Sequence, residues 1–433
     1  MERTWTSELP RRCGERVLLK GWLHRLRRLS GVSFLVLRDA RGLAQVVIED
    51  ADLAASLGRL HAESVVEIEG VAAPAAQAPA GVEVREPSVR VLVAAAAPPP
   101  VNLFQPTVRA QLPTLLDHAP VTLRHPRRRA CFEVTAASMA GFRASLRARG
   151  FVEIQTPKIV AASTEGGANV FALDYFGRRA FLAQSPQFYK QTMVGVFERV
   201  FEVGPVFRAE PHDTPRHLNE YVSLDAEMGF IRDHRDVMAV LRDAIAGMAE
   251  AVRTEAAGAA ALLELALPEV PDPIPSVDFL EAQQMVAAAT GELLEGEPDL
   301  APAHESWLGE WARREHGSDF LYVTGYPMAK RPFYTHPAPG DHTRTNGFDL
   351  LYRGQELVTG GQRLHRYEDY VAALDARGLD PAPFAGYLEA FRHGMPAHGG
   401  FGMGLERWVS RLVGAANIRE VALFPRDLVR LTP

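Results

Sequence analysis

Between residues 17 and 98 five apolar runs follow one another in an order that few folds accept. They cover 17–24, 33–39, 44–49, 64–72 and 82–93, and they alternate or stay continuously apolar as strands do. One helical stretch, 52–61, lies between the third and the fourth, with Leu53, Leu57 and Leu60 at helical spacing and Asp52 placed to cap it. Three strands, a helix and two strands is the order of a five-stranded OB barrel, so residues 1–100 are expected to form one. A proline-punctuated segment, 101–128, reads as a hinge.

From Arg129 the pattern changes. Phe132, Met139, Phe142 and Leu146 share a helical stripe over 132–149, Gly150 stops it, and Arg147 and Arg149 suit its last turn. A strand over 151–156 follows and ends at Pro157. Later apolar runs, 180–183, 199–207, 221–230, 348–351 and 356–359, are joined by hairpin-like connections. Residues 129–433 are therefore expected to hold a large antiparallel sheet flanked by helices, with a helical insertion around 235–320, and the chain is α+β.

A length of 433 residues calls for two or three domains. No run of eighteen apolar residues exists, which excludes a spanning helix, and the start Met1-Glu2-Arg3-Thr4-Trp5 lacks a secretory core. A cytoplasmic protein without membrane partners is the expectation. Two cysteines, Cys13 and Cys131, exclude a disulfide scaffold and a multi-cysteine zinc site. The patterns GxGxxG, GxxxxGK[ST] and HExxH are absent, which excludes the usual phosphate-loop enzymes. The net charge of −6 is uneven: residues 1–130 carry 18 basic against 13 acidic residues, or +5, which leaves −11 for the rest. A basic front on an acidic body suits a nucleic-acid partner. Only four of the 47 basic residues are lysines (Lys20, Lys158, Lys190 and Lys330), so a lysine inside a motif points to a need for its compact ammonium.

The chemistry concentrates in two stretches. Phe207-Arg208-Ala209-Glu210 runs through a loop to Arg216-His217-Leu218-Asn219-Glu220, and far downstream lies Gly400-Phe401-Gly402-Met403-Gly404-Leu405-Glu406-Arg407. Arg-x-Glu at a strand end puts a cation and a carboxylate on one face, one to clamp an anion and the other to accept from an amino group. The glycine-rich strand lets backbone approach a flat ring closely.

In this order, and after a helix and strand ending in proline, these stretches resemble the three motifs of class II aminoacyl-tRNA synthetases. The helix and strand to Pro157 look like motif 1, 207–227 like motif 2 and 400–411 like motif 3, with the barrel where the aspartate, asparagine and lysine subgroup keeps its anticodon domain. Gln184-Ser185-Pro186-Gln187-Phe188-Tyr189-Lys190-Gln191 is similar to the aspartate enzymes, as are Thr164-Glu165-Gly166-Gly167 and Gly360-Gly361-Gln362-Arg363. By that resemblance Glu165 and Gln187 hold the amino end of aspartate, while Lys190 and Arg363 receive its side-chain carboxylate. A neutral amide would leave two buried cations unpaired, a cost of about 3–5 kcal/mol, or roughly 10²- to 10³-fold against asparagine.

The resemblance further implies ATP as substrate and Mg²⁺ as its companion. Arg208 bridges the α-phosphate and the substrate carboxylate, and Glu210 accepts from the adenine amino group. Arg216, His217, Leu218, Gly404, Leu405 and Glu406 border the nucleotide, Arg407 takes the γ-phosphate, and Glu356 with Thr359 offers hard oxygens to the metal. Thr359 replaces the more usual serine. Asp225, Glu227, Asp341 and Asp349 stay open between ligand and structural roles.

In the barrel, Phe34 and Gln45 fall where aspartate enzymes stack and hydrogen-bond the central anticodon base, with Arg25 and Arg27 on phosphates. His24 and Pro79 match positions that, in the archaeal-type subgroup, go with charging of both tRNA(Asp) and tRNA(Asn). The resemblance therefore implies a homodimeric, non-discriminating ligase that feeds a tRNA-dependent amidotransferase. A discriminating aspartate enzyme, an asparaginyl enzyme and a non-catalytic tRNA-binding paralogue are the alternatives.

Overall fold

The computed structural model describes residues 1–161 and 169–433, so the expected loop around Glu165 lies outside the described residues. The chain forms two compact units, Met1–Arg128 and Arg129–Pro433.

The first unit is a closed five-stranded barrel of β1 (Arg16–Leu29), β2 (Val32–Arg38), β3 (Leu43–Ile48), β4 (Val65–Pro74) and β5 (Val82–Val93), in the order β1-β2-β3-β5-β4. Leu19, Leu35, Leu37, Val46, Val66, Ile68 and Val84 fill its interior and are fully buried. Helix α1 (Ala51–Leu57) follows β3, capped by Asp50, whose carboxylate accepts from the amides of Asp52 and Leu53. The expected cap, Asp52, lies inside the helix instead, because the Asp50 oxygen already satisfies the first free amides.

Strand β1 runs five residues beyond its expected end at residue 24. Leu23 pairs with Leu37 but Arg25 with Val36, so His24 is an extra residue bulged out of the ladder. A bulge reverses the alternation of every later side chain. Leu26 therefore joins the interior side, and Arg25 and Arg27 stand on the outer face beside Val36 and Phe34.

Helix α2 (Pro126–Arg147) begins at the end of the first unit and leads the second; it is six residues longer at its start than the apolar stripe indicates, since Pro126 can occupy a first turn. Gly150, at φ +78°, ends the turn after it. Fully buried Phe142 meets Phe201 and Phe401 edge to face, at 5.9 and 6.4 Å. Of the expected strand 151–156 only β6 (Val152–Glu153) is regular.

Beyond it come β7 (Arg199–Phe207), β8 (Glu220–Gly229), β9 (Ser276–Asp278), β10 (Phe320–Thr324), β11 (Gly347–Tyr352), β12 (Glu356–Gln362) and β13 (His398–Gly404). With β6 they form one sheet in the order β9-β10-β11-β12-β13-β8-β7-β6. It is antiparallel except for the two edge pairs, β9 with β10 and β6 with β7. The segment around 235–320 holds helices His234–Glu255, Phe279–Thr290 and Pro302–His316, and it also supplies strand β9. Neither cysteine forms a disulfide among the described residues, and no helix among them is long and apolar enough to cross a membrane.

Candidate active site

Strands β8, β12 and β13 build the floor of a cavity of about 440 Å³. Strand β8 turns Tyr221, Ser223, Asp225 and Glu227 to one face, and its register sets Ser223, Asp225 and Glu227 opposite Gly404, Gly402 and Gly400. The alternation of β13 follows from this. Phe401 and Met403 point into the core, each 1% exposed, while the glycines leave room for the carboxylates. A Cβ on Gly400 would come within 2.1 Å of the Glu227 carboxylate and of the Ala226 carbonyl oxygen. On Gly402 it would lie 3.1 Å from Asp225.

Under this floor sits a charge-balanced quartet. Lys190, from the helix Gln187–Phe197, is 1% exposed; its ammonium donates to Asp225 at 2.9 Å and to the Phe401 carbonyl at 2.8 Å, and it lies 3.4 Å from Glu227. Arg363 donates through Nε to Glu227 at 2.9 Å and through Nη2 to the Gly400 carbonyl at 3.0 Å. Burial opposes ionisation of Glu227, but Arg363 and Lys190 outweigh it and hold its carboxyl below the usual range. Two cations thus face two carboxylates, so the expectation that a neutral amide strands unpaired positive charge needs correction. Lys190 does not line the cavity at all; Arg363 does, and its Nη1 has no hydrogen bond among the described residues. A guanidinium donates and never accepts, which suits a carboxylate and not an amide NH₂. Gln187 also lines the cavity, with its Nε2 buried and without a partner among the described residues.

Cationic side chains gather along another part of the cavity lining, here called the rim. Arg208, at the end of β7, lies over Tyr221 at 5.8 Å and 4.0 Å from Glu210. Asn219 clasps this turn by donating to the Arg208 carbonyl at 2.6 Å. Glu210 reaches His217 at 3.5 Å, whose other ring nitrogen meets Thr214 at 2.6 Å; burial lowers the His217 pKa. Arg216, His217, Leu218, Gly404 and Arg407 complete the rim. Leu405 is a correction, because its side chain is 1% exposed and belongs to the core beneath the helix Leu405–Val413. Glu406 borders the cavity, but both its oxygens accept from the Val222 amide, and burial pushes its pKa up to about 7.

Glu356 and Thr359 are three apart, which on a regular strand means opposite faces. Leu350 pairs with Val358 but Leu351 with Glu356, so Leu357 is bulged, and the Thr359 hydroxyl donates to Glu356 at 3.2 Å. Asp349 stands opposite Thr359, held by Arg331 at 2.7 Å. Burial, then the Asp349 charge, raise the Glu356 pKa, while Arg407 counters from 3.4 Å. Crowded carboxylates with a hydroxyl fit a hard divalent cation. No cluster of three metal-ligating side chains exists among the described residues, so such an ion would complete its shell with phosphate and water oxygens. Sequence reasoning missed Arg331 and Glu305. Glu305 accepts from the Glu356 amide at 3.0 Å and is pushed up to about 7 by burial. It comes from helix Pro302–His316, and no local pattern marks it.

In the barrel, Phe34 is half-buried on the outer face, with the Arg27 guanidinium 5.7 Å above its ring. Arg27 also donates to Gln45 at 2.9 Å, and Gln45 donates to Glu83 at 3.1 Å. The ring is half-exposed, whereas Gln45 is 3% exposed and its amide is engaged at both ends, by Arg27 and by Glu83. Exposed Arg25 lies 6.0 Å over Phe104. His24, 6% exposed, sets its ring edge-on to Phe104 and 3.9 Å from Glu63. Pro79 opens the turn Pro79–Gly81 between β4 and β5, a separate place in the barrel.

Comparison with known proteins agrees with this geometry. Residues 111–428 match the family described as tRNA synthetases class II (D, K and N), and 17–92 match the OB-fold nucleic acid binding domain. The chain is 46% identical to the aspartate--tRNA(Asp/Asn) ligase of Deinococcus radiodurans, covering 100% of this chain and 99% of that one. It is also 46% identical to the ligase of that name from Thermus thermophilus, over 100% of both chains. Asparaginyl-tRNA synthetase from Pyrococcus horikoshii, solved with asparaginyl-adenylate, superposes with a TM-score of 0.92 at 29% identity over 100% of both chains. Shared motifs, a carboxylate-lined glycine strand and full-length similarity lead to one conclusion: this chain belongs to the class II aminoacyl-tRNA synthetases of the aspartate, lysine and asparagine group.

Proposed function

We propose that this chain attaches L-aspartate to tRNA(Asp) and also to tRNA(Asn), in two steps. In the first, the α-carboxylate of aspartate attacks the α-phosphorus of ATP in line, the bond to the β-phosphate oxygen breaks, and pyrophosphate leaves. In the second, the terminal ribose 3′-hydroxyl of tRNA attacks the acyl carbon of the aspartyl-adenylate, loses its proton, and releases AMP. The observation that carries the reading is Arg363, a donor-only group that lines the cavity and is fixed by Glu227 and Gly400, while its Nη1 makes no hydrogen bond among the described residues. Arg363 donates to the side-chain carboxylate of aspartate, and Gln187 takes part at the amino end.

Arg208 aligns the two reacting anions and Arg407 holds the far phosphate, so catalysis is positioning and charge neutralisation. Glu210 receives the adenine amino group. Glu356 and Thr359, with Asp349 beside them, would hold Mg²⁺, which neutralises phosphate charge when bound. In the barrel, Phe34 stacks and Gln45 hydrogen-bonds a splayed anticodon base, and Arg25 and Arg27 take phosphates. His24 and Pro79 go with acceptance of both tRNAs, a reading supported by the ligases named for tRNA(Asp/Asn). The enzyme acts in the cytoplasm as a homodimer about the segment near Pro157, and its Asp-tRNA(Asn) passes to an amidotransferase.

Charging of tRNA(Asp) and tRNA(Asn) transcripts with labelled aspartate, side by side at fixed salt, tests this. Both are expected to be charged. Charging of tRNA(Asp) alone would overturn the roles of His24 and Pro79. Pyrophosphate exchange with asparagine and not aspartate would overturn the amino-acid assignment.

A further inference from the structure

The hydroxyls of Tyr370 and Tyr387 lie deep in a largely apolar cluster built around helices Tyr367–Asp375 and Ala385–Arg392. Burying a hydroxyl is costly unless it is hydrogen-bonded, and phenylalanine would pack as well. Both hydroxyls converge on one side chain. Gln191, with no exposed surface, accepts from the Tyr387 hydroxyl through Oε1, and the Tyr370 hydroxyl stands 3.0 Å from the same oxygen. Tyr370 also lies 2.8 Å from the Leu364 carbonyl oxygen and 3.0 Å from the Tyr387 hydroxyl. Each hydroxyl has one proton, so Tyr370 donates to one of these acceptors at a time, and it accepts from Tyr387 only when the Tyr387 proton is turned away from Gln191.

The two anchored residues are direct neighbours of the two cations of the buried quartet, of which Arg363 lines the cavity. Gln191 follows Lys190 in its helix, and Leu364 follows Arg363. The Arg363 backbone is held on its other side as well, its amide donating to the His398 carbonyl at 2.9 Å. Lys190 and Arg363 come from segments more than 170 residues apart, and besides sharing Glu227 they are tied through this one hydrogen-bonded knot.

We infer that Gln191, Tyr370 and Tyr387 form a latch that fixes the distance between the Lys190 and Arg363 arms, making them positioning residues for amino-acid recognition. This rests on the aspartate reading of the site. The latch touches neither the ATP rim nor the Glu356 group, so its loss affects one substrate only.

The test uses the full-length enzyme in ATP–pyrophosphate exchange with Tyr370→Phe and, as a second variant, Tyr387→Phe. Each keeps the ring and removes the hydroxyl. The aspartate KM is expected to rise roughly tenfold, the scale of one buried hydrogen bond, with the KM for ATP unchanged and the preference for aspartate over asparagine reduced. Leu374→Ala in the same cluster loses packing alone, and is expected to lower the melting temperature with an unchanged aspartate KM. An unmoved aspartate KM in both tyrosine variants, or equal rises for aspartate and ATP, would overturn the latch. Absence of any aspartate-dependent exchange in the unsubstituted enzyme would instead overturn the aspartate reading, and the latch's role with it.

Discussion

Arg363 shows how little freedom a selective cation has. Two of its donor positions serve Glu227 and Gly400, and lysine could not fill all three directions with comparable geometry. Arg363→Lys is therefore expected to raise the aspartate KM by about 10²-fold, the scale of breaking a buried pair of about 3 kcal/mol, with ATP affinity retained; steady-state exchange checks it. A neighbour governs acid stability. His398 is fully buried among Glu227, Arg363 and His365, and burial lowers its pKa from 6.5 to about 4. Folded His398 stays neutral while the unfolded chain takes up a proton, so stability is whole above pH 6.5 and falls by about 3 kcal/mol as pH drops to 4. Glu227, with its pKa lowered, adds a second loss below its ordinary value of 4.5. Urea midpoints from pH 8 to 4 should show the first slope, and His398→Gln should flatten it. Lys190 and Arg363 could be picked out as residue types in a motif, but their neutralising partners could not. Asp225 and Glu227 lie on a strand whose register only pairing determines.

At the scale of elements, sheets read well where alternation is uninterrupted and fail where it is not. Strand β7 and the glycine strand β13 could be located from sequence pattern alone. The two bulges could not, since an extra residue has no compositional mark, yet each joins a functional group: His24 brings Arg27 over Phe34, and Leu357 brings Thr359 to Glu356. Deleting His24 should thus do more than substituting it. His24→Ala keeps the bulge, and its effect is expected on tRNA choice with little change in melting temperature. The deletion turns Arg25 and Arg27 toward the interior of the barrel, a cost of several kcal/mol, so the barrel should lose its cooperative melting. Calorimetry of the two variants separates these outcomes. The cap of α1 shifted for a related reason, as Asp50 and Asp52 are both plausible caps by type and only the bonded amides decide.

For the molecule as a whole, the basic front and acidic body divide the work electrostatically. The +5 carried by residues 1–130 suits attraction of a polyanionic backbone, while the remainder carries −11. Replacing Arg25 with alanine should weaken both tRNAs alike and reduce the salt slope of binding by about one; replacing Gln45 with alanine should act chiefly on the base it faces. Filter binding across 50–200 mM salt distinguishes the two. The family and two-part plan were legible because the motifs are local in sequence. The cavity was legible only as a list of members, because its walls come from β8, β12, β13 and the turn after β7, brought together by a sheet order that runs out of chain order. The two bulges carry one more consequence. In β1 and β12 a changed letter alters one contact, whereas a gained or lost letter inverts a whole face. Inheritance in these strands is thus stricter about length than about spelling, and variation in length across descendants should be confined to the connections between them.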